Sequence, residues 1–506
     1  MSGDSVACSE FPQTAGAAAP QQRGSGSTIT LESGEQTPNM PIQASRLLPR
    51  IMQFTLAAIL LVPTPLSAQE RSGSPPSAAP TSLIHAFELA QQAQAAGDHA
   101  ALRSSLTAGL AFAPDHGLLL YHLARAEALA GDAERALSTL ERLAVQGAAR
   151  DVAADTAFSV LRGMPRFQVL VRQLAESAAP LVRSDTAFAI PDPDFIPEGI
   201  AYDPTDDAFY VGSLHRGGVI RVARNGATTP FARAGQDGIG QVIGLRVDVQ
   251  RRRLWLATLI VDSAAPRFFR GVGGWAALHA YDLETGRLVM RYPAPDSTSP
   301  HLLNDIALTP GGDVYVTDSE GNALYRLRSG ASRLERVHGG AADFTYPNGI
   351  TLAPDGTRLF VAHMEGISAL DIAGSGAGRM VRMTAPSGVA LSGIDGLYTC
   401  GNDLLAVQRL LDFQQITRFT PAPGEPRITG AVALERRHPS HDAATTGAIA
   451  GDSLFYISNA QLRRLQPEGG IAPADPPQTS IVLRLPLDRP CGEPRDSLAA
   501  GDAPQR

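Results

Sequence analysis

The chain has 506 residues, of which 44% are hydrophobic and 18% charged, with a formal net charge of −7. These are globular values for a chain long enough to hold more than one domain, and an acidic balance without a long basic block excludes a nucleic-acid footprint. Cysteine occurs only at Cys8, Cys400 and Cys491, which excludes a disulfide framework and a cysteine-based zinc cluster.

In chain order, residues 1–51 are rich in Ser, Gly, Gln, Pro and Ala with no hydrophobic period. They are expected to be disordered, or to be a mis-assigned start ahead of Met52. Residues 52–68, with the arginines just before them, have the parts of a secretory signal: a positive flank at Arg46 and Arg50, an apolar run from Phe54 to Val62, and small residues at Ser67 and Ala68. The run is short for a bilayer span, so a membrane enters only if the signal stays uncleaved as an anchor. Either way the expected location is periplasmic or secreted. Residues 69–81 read as a Pro/Ser/Ala linker.

From 82 to 177 the pattern becomes Ala- and Leu-rich with helical periodicity. Gly97-Asp98 and Gly131-Asp132 fall 34 residues apart, each at a turn between two helices, with Ala136, Leu137 and Leu140 on the helix after the second turn. This resembles tetratricopeptide repeats, without their tryptophan and tyrosine. A helical cap is expected over 156–174. The region is either a peptide groove, and so a site for a protein partner, or a spacer or packing partner for the C-terminal domain.

Six short stretches then read alike: PEGIAYD from Pro197, VIGLRVD from Val242, LNDIALT from Leu303, PNGITLA from Pro347, IDGLYTC from Ile394 and TTGAIAG from Thr445. Aligned on Gly199, Gly244, Asp305, Gly349, Gly396 and Gly447, they are spaced by 45, 61, 44, 47 and 51 residues. Units of this length with several short strands are propeller blades, because one four-stranded sheet cannot bury both of its faces alone. The expected fold is mainly β: a six-bladed β-propeller over 181–488 behind the N-terminal α-helical domain, with 489–506 as a disordered tail. Pro, Asp and Gly at Asp203-Pro204, Pro310-Gly311-Gly312-Asp313 and Pro354-Asp355-Gly356 mark the hairpins. The final strand near 480–487 lacks a partner after it, so a strand near 181–189 should complete the sixth blade and close the ring. The longest spacing holds an insertion at 261–275 with Phe268, Phe269 and Trp275, which suggests a lid.

Equivalent positions of a radial repeat lie on a ring around the axis. The residue before each aligned position gives Glu198, Ile243, Asn304, Asn348, Asp395 and Thr446. Two carboxylates and two amides make an all-oxygen nest of charge −2, which suits calcium or another divalent cation such as magnesium, manganese or zinc.

Glu198 in PEGI, Asn304 in LND, Asn348 in PNGI and Asp395 in IDGL, one each in blades one, three, four and five, resemble the metal-binding set of the gluconolactonase/regucalcin (SMP-30-like) family, a relative of the paraoxonases. The resemblance covers the propeller and not the helices. It implies metal binding by Glu198, Asn304, Asn348 and Asp395, a small-molecule ester or lactone substrate, Asp395 as general base and Asn304 as a substrate-orienting group. Gly396 follows Asp395 where paraoxonases carry a second carboxamide. Asp305 matches the place of a second, structural calcium there, or it caps a turn. His441, in HPSHDAATTG, is a second candidate base, since fluorophosphatase-like relatives hold a histidine in the last blade.

No Gly-x-Ser-x-Gly elbow, HExxH helix or phosphate loop occurs. The expectation is an exported, divalent-metal-dependent lactonase-like hydrolase. The alternatives are a phosphotriesterase on the same site and a non-enzymatic adaptor built from helices and propeller. Cys400 and Cys491 either bridge or remain thiols.

Overall fold

Each sequence repeat builds one four-stranded antiparallel sheet in the computed structural model. The structure describes residues 79–147, 151–177, 179–259, 276–295, 299–340, 343–411, 413–466, 470–474, 476 and 478–491. The expectations for 1–51, for the signal at 52–68, for all but the end of the linker, for the insertion at 261–275 and for 492–506 lie outside the described residues. Among the described residues, no helix is long and apolar enough to cross a membrane.

Five helices come first: α1 Leu83–Ala95, α2 His99–Phe112, α3 Gly117–Leu129, α4 Ala133–Val145 and α5 Pro165–Ser177. Asp98 and Asp132 explain the 34-residue period, because each caps the second helix of a hairpin by accepting the N–H three residues on. The buried stripe Ala136, Leu137, Leu140 and Leu143 seats α4. The expected cap is not one helix. It is a 3-10 turn at Thr156–Leu161 and then α5, because Pro165 has no N–H to give and belongs in a first turn.

The first blade is β2 Pro197–Asp203, β3 Ala208–Ser213, β4 Val219–Ala223 and β5 Thr228–Ala232. The second is β6 Gln241–Asp248, β7 Arg253–Leu259, β8 Ala276–Asp282 and β9 Leu288–Pro293. The third is β10 Leu303–Leu308, β11 Val314–Asp318, β12 Ala323–Leu327 and β13 Glu335–Gly339. The fourth is β14 Ile350–Leu352, β15 Arg358–His363, β16 Gly366–Asp371 and β17 Met380–Arg382. The fifth is β18 Ile394–Cys400, β19 Asp403–Arg409, β20 Gln414–Pro421 and β21 Ile428–Arg436.

The sixth joins β22 Gly447–Ala450, β23 Ser453–Ile457 and β24 Ser480–Pro486 to β1 Asp185–Ile190, the strand that precedes the first blade. Pairing of Ile190 with Ser480 and of Asp185 with Arg484 closes the ring with chain from both ends of the propeller. Next to this closure, buried Glu435 accepts from the Ser184 and Tyr456 hydroxyls.

One apolar cluster fills each gap between neighbouring blades. Tyr210, Leu245 and Leu256 lie between the first two, and Phe188, Phe209 and Phe455 between the last and the first. Met364 and Leu411, from loops of the fourth and fifth blades, also pack against the helical core. Arg382 Nη1 donates to the Phe112 carbonyl at 2.9 Å, so the helices brace these two blades. Cys400 and Cys491 form a disulfide that ties the end of β18 to the chain after β24.

Candidate metal centre

The repeated tripeptide is where each inner strand departs from regular pairing. Register shifts fall between Pro197 and Ile200, Val242 and Gly244, Leu303 and Ile306, and Ile394 and Leu397. A bulge re-aims the side chain it contains. Four of the six ring residues, Glu198, Ile243, Asn304 and Asp395, sit inside these irregularities. Asn348 lies just ahead of β14, its N–H donating to the Ala362 carbonyl at 2.8 Å.

The glycine after three of the ring residues has a cause in the next blade. A Cβ on Gly244 would lie 1.9 Å from the Asn304 carbonyl oxygen, one on Gly349 2.6 Å from that of Asp395, and one on Gly199 2.4 Å from that of Ile243. These three glycines therefore accept the backbone of the next ring residue, whereas Gly396 and Gly447 meet Tyr398 and Phe455 of their own blades. At the seam, Thr445 and Thr446 donate their hydroxyls to the Glu198 carbonyl, which completes the circuit.

Glu198 and Asn304 are buried, at 9% and 5% exposure. Asn348 and Asp395 are partly exposed, so the centre opens on their side. The Asn348 amide Nδ2 donates to Asp395 Oδ1 at 2.7 Å. The Asn304 Nδ2 donates to Ser319 Oγ at 3.0 Å, and that hydroxyl donates to the Pro347 carbonyl at 2.6 Å. With both amide nitrogens engaged, the amide oxygens are left to receive a ligand. Among the described residues, Asn348 Oδ1 and Glu198 Oε2 are buried with no hydrogen-bond partner.

Buried acceptors without donors are costly, and buried like charges more so. Burial first, and then the charge of Asp395, push the Glu198 carboxyl well above the usual carboxylate range. Burial raises Asp395 to about 6 against the Asn348 hydrogen bond and the positive charge of Arg409. The two titrate as a pair, and both are pushed toward their neutral forms. A divalent cation would remove this conflict. Two carboxylates and two amide oxygens make a hard all-oxygen donor set, and the orphaned oxygens fit it. Among the described residues, no three His, Cys, Asp or Glu side chains converge, so the amides are indispensable to any such site.

Asp305, which follows Asn304, is engaged differently. It accepts the Ile306 and Ile350 N–H groups at 2.8 and 3.1 Å and pairs with Arg246 at 3.4 Å. Arg246 lies against the Tyr398 ring and donates Nε to the Ile306 carbonyl. Arg246 and Tyr398 both line a cavity of about 170 Å³ together with Thr351, Thr399 and Ala448, residues from the downstream halves of the inner strands. Asp305 thus has an internal cation and links the third blade to the fourth.

His441 hydrogen-bonds the Tyr456 hydroxyl through Nε2 at 3.0 Å, and burial lowers its pKa to about 4. It interacts with Tyr456, His438 and Gln414, and Glu198, Asn304, Asn348 and Asp395 are not among these partners. His301 meets Asp318, and His363 meets Glu365 and Ser368 at 2.8 and 2.9 Å. Ser368, His363 and Glu365 line up as a nucleophile, base and acid would. All three are buried, at 1%, 3% and 7% exposure, which leaves no path for a carbonyl to Ser368.

Ser319 and Arg409 are not among the residues expected from sequence. Neither carries a motif, and each acts on the centre only because a neighbouring strand end lies beside the ring.

No family model and no curated protein matches the chain. Among solved structures it is similar to a gluconolactonase from Xanthomonas campestris at 17% identity, covering 62% of this chain and 92% of that one, with a TM-score of 0.41. It is also similar to a calcium-binding regucalcin from Agrobacterium tumefaciens at 15%, covering 61% and 98%, with a TM-score of 0.42. A third is the allergen Mala s 1 of Malassezia sympodialis at 17%, covering 60% and 96%, with a TM-score of 0.44. At such distances the likeness assigns no activity.

Proposed function

We propose that the chain is an exported, divalent-metal-dependent hydrolase that opens the ester bond of a lactone. The observation that carries this reading is the axial set Glu198, Asn304, Asn348 and Asp395, with its orphaned oxygens and raised carboxyl pKa values. The resemblance of the same four residues, in the same blades and order, to the metal-binding set of the gluconolactonase/regucalcin family supports it as well. Calcium is the expected ion, held by the two carboxylates and the two amide oxygens, and when bound it supplies a Lewis acid for a carbonyl oxygen.

The chain's own residues divide the remaining work. Asn304 is fixed through Ser319 and orients the carbonyl. Asn348 holds Asp395 Oδ1, which leaves Oδ2 to take the proton of the attacking water. Asp395 suits this role better than His441, whose Nε2 is engaged by Tyr456 and whose low pKa makes it a weak base.

The signal-like segment at 52–68 and the Cys400–Cys491 disulfide both favour a compartment outside the cytosol. Cell fractionation checks that placement. Calorimetric titration of calcium into chelator-stripped protein, beside Glu198→Ala and Asp395→Ala, tests the centre. Wild type should bind one tight ion and both variants should lose it. A panel of lactones, with an aryl phosphotriester for the alternative chemistry, then tests the reaction. A protein that binds no divalent ion refutes the reading.

A further inference from the structure

Arg409 ends β19 beside the metal centre, and its place there is tightly determined. Its N–H donates to the Gly393 carbonyl at 2.7 Å, two residues from Asp395, and Gln408 before it pairs with Ile394. Gly393 adopts φ +73°, and a Cβ there would lie 2.0 Å from the Arg409 carbonyl oxygen, so only glycine allows this approach. Two residues further on, Leu411 is held against the helical core. The strand end is therefore pinned on both sides.

The side chain is exposed, and its guanidinium forms no ion pair or side-chain hydrogen bond among the described residues. It is nonetheless close enough to Asp395 and Asp442 to interact with both charges. Asp442 already pairs with Arg463 at 2.8 Å. Asp395 and Glu198 together balance one divalent ion. Once these charges are matched, the single positive charge of Arg409 remains at the opening. An unpaired guanidinium on a fixed strand end beside a neutralised metal centre is a receptor for one carboxylate, which it can grip through two N–H donors.

We infer that Arg409 binds a carboxylate carried by the substrate, so that the preferred substrate is a lactone bearing an acid group rather than a neutral one. This rests on the hydrolase reading and narrows its substrate class. Arg409 touches the substrate at a group that does not react, so its effect is on selectivity.

The test compares a five-membered lactone bearing a carboxylate with the matching carboxamide, using calcium-loaded full-length protein and its Arg409→Gln and Arg409→Lys variants. In wild type the kcat/KM ratio should favour the carboxylate. In Arg409→Gln that ratio should fall roughly 10- to 100-fold, the worth of one charge-assisted contact. Arg409→Lys should recover part of it. Calorimetric binding of the corresponding lactam carboxylate, which is not cleaved, should weaken by a similar factor in Arg409→Gln.

Lactone cleavage with a ratio near one in wild type, or an unchanged ratio in Arg409→Gln, overturns the inference and leaves the hydrolase reading standing. Arg409-dependent binding of the lactam carboxylate by a protein that cleaves no ester has the opposite meaning: the anion site stands and the hydrolase reading falls. Neither cleavage nor binding overturns both.

Discussion

Replacing Asp395 by Asn should make the metal-free protein more stable while abolishing its response to calcium. Burial raises the Asp395 carboxyl from 3.8 to about 6, so its ionised form is disfavoured in the folded state. A group whose folded pKa is raised contributes stability that is full below pH 3.8 and is lost as pH rises through about 6. At pH 7 the loss is about 2 kcal/mol, after discounting the full shift for the partial exposure of the side chain.

An asparagine keeps the shape, and its oxygen can still accept from Asn348 Nδ2, so the variant removes the charge and little else. In chelator at pH 7 its Tm should exceed that of wild type by about 2 °C, a small shift because the unfolding entropy of so long a chain is large. At pH 5 the difference should shrink. Calcium at a hundred times its Kd should add about 2.7 kcal/mol to wild type and nothing to the variant. Differential scanning fluorimetry across pH 5–8, with and without calcium, reads all of these quantities. A less stable Asp395→Asn in chelator at pH 7, together with a wild type indifferent to calcium, would refute the argument that unrelieved carboxylates demand a cation.

Removing the cation from Asp305 has the opposite effect on the apo fold. Arg246→Met leaves that carboxylate buried and should cost about 3 kcal/mol or more in urea denaturation, with calcium stoichiometry by calorimetry still one. Gly244→Ala should be worse than its size suggests, because the added methyl meets the Asn304 carbonyl; the expected result is loss of the calcium-induced Tm shift together with lower stability. The Cys400–Cys491 bond spans 91 residues, so Cys400→Ser should lower stability by about 2–4 kcal/mol, and reductant should bring wild type to the same midpoint. Calcium affinity should weaken from pH 7 to pH 5 and proton release should accompany binding, since Glu198 and Asp395 both titrate above the ordinary carboxylate range; calorimetry in buffers of different ionisation enthalpy measures it.

The blade count and the ring closure are legible in the amino-acid order alone, and the four candidate donors can be named from it. A radial repeat writes each blade in the same local code, and Gly199, Gly244 and Gly349 record the contact that the next blade makes. The helical hairpins are legible too, through Asp98 and Asp132, though the break at Pro165 in the cap is not. Contacts between repeats had to wait for the folded chain. Asp305 is matched by Arg246 from the preceding blade, His441 Nε2 is engaged by Tyr456, and the helices brace the two blades that carry Asn348 and Asp395. Arg409 belongs to the same class: its meaning comes from standing beside Gly393 on a paired strand. Such contacts join residues from separate strands and blades, where no periodicity connects them, and packing alone brings them together.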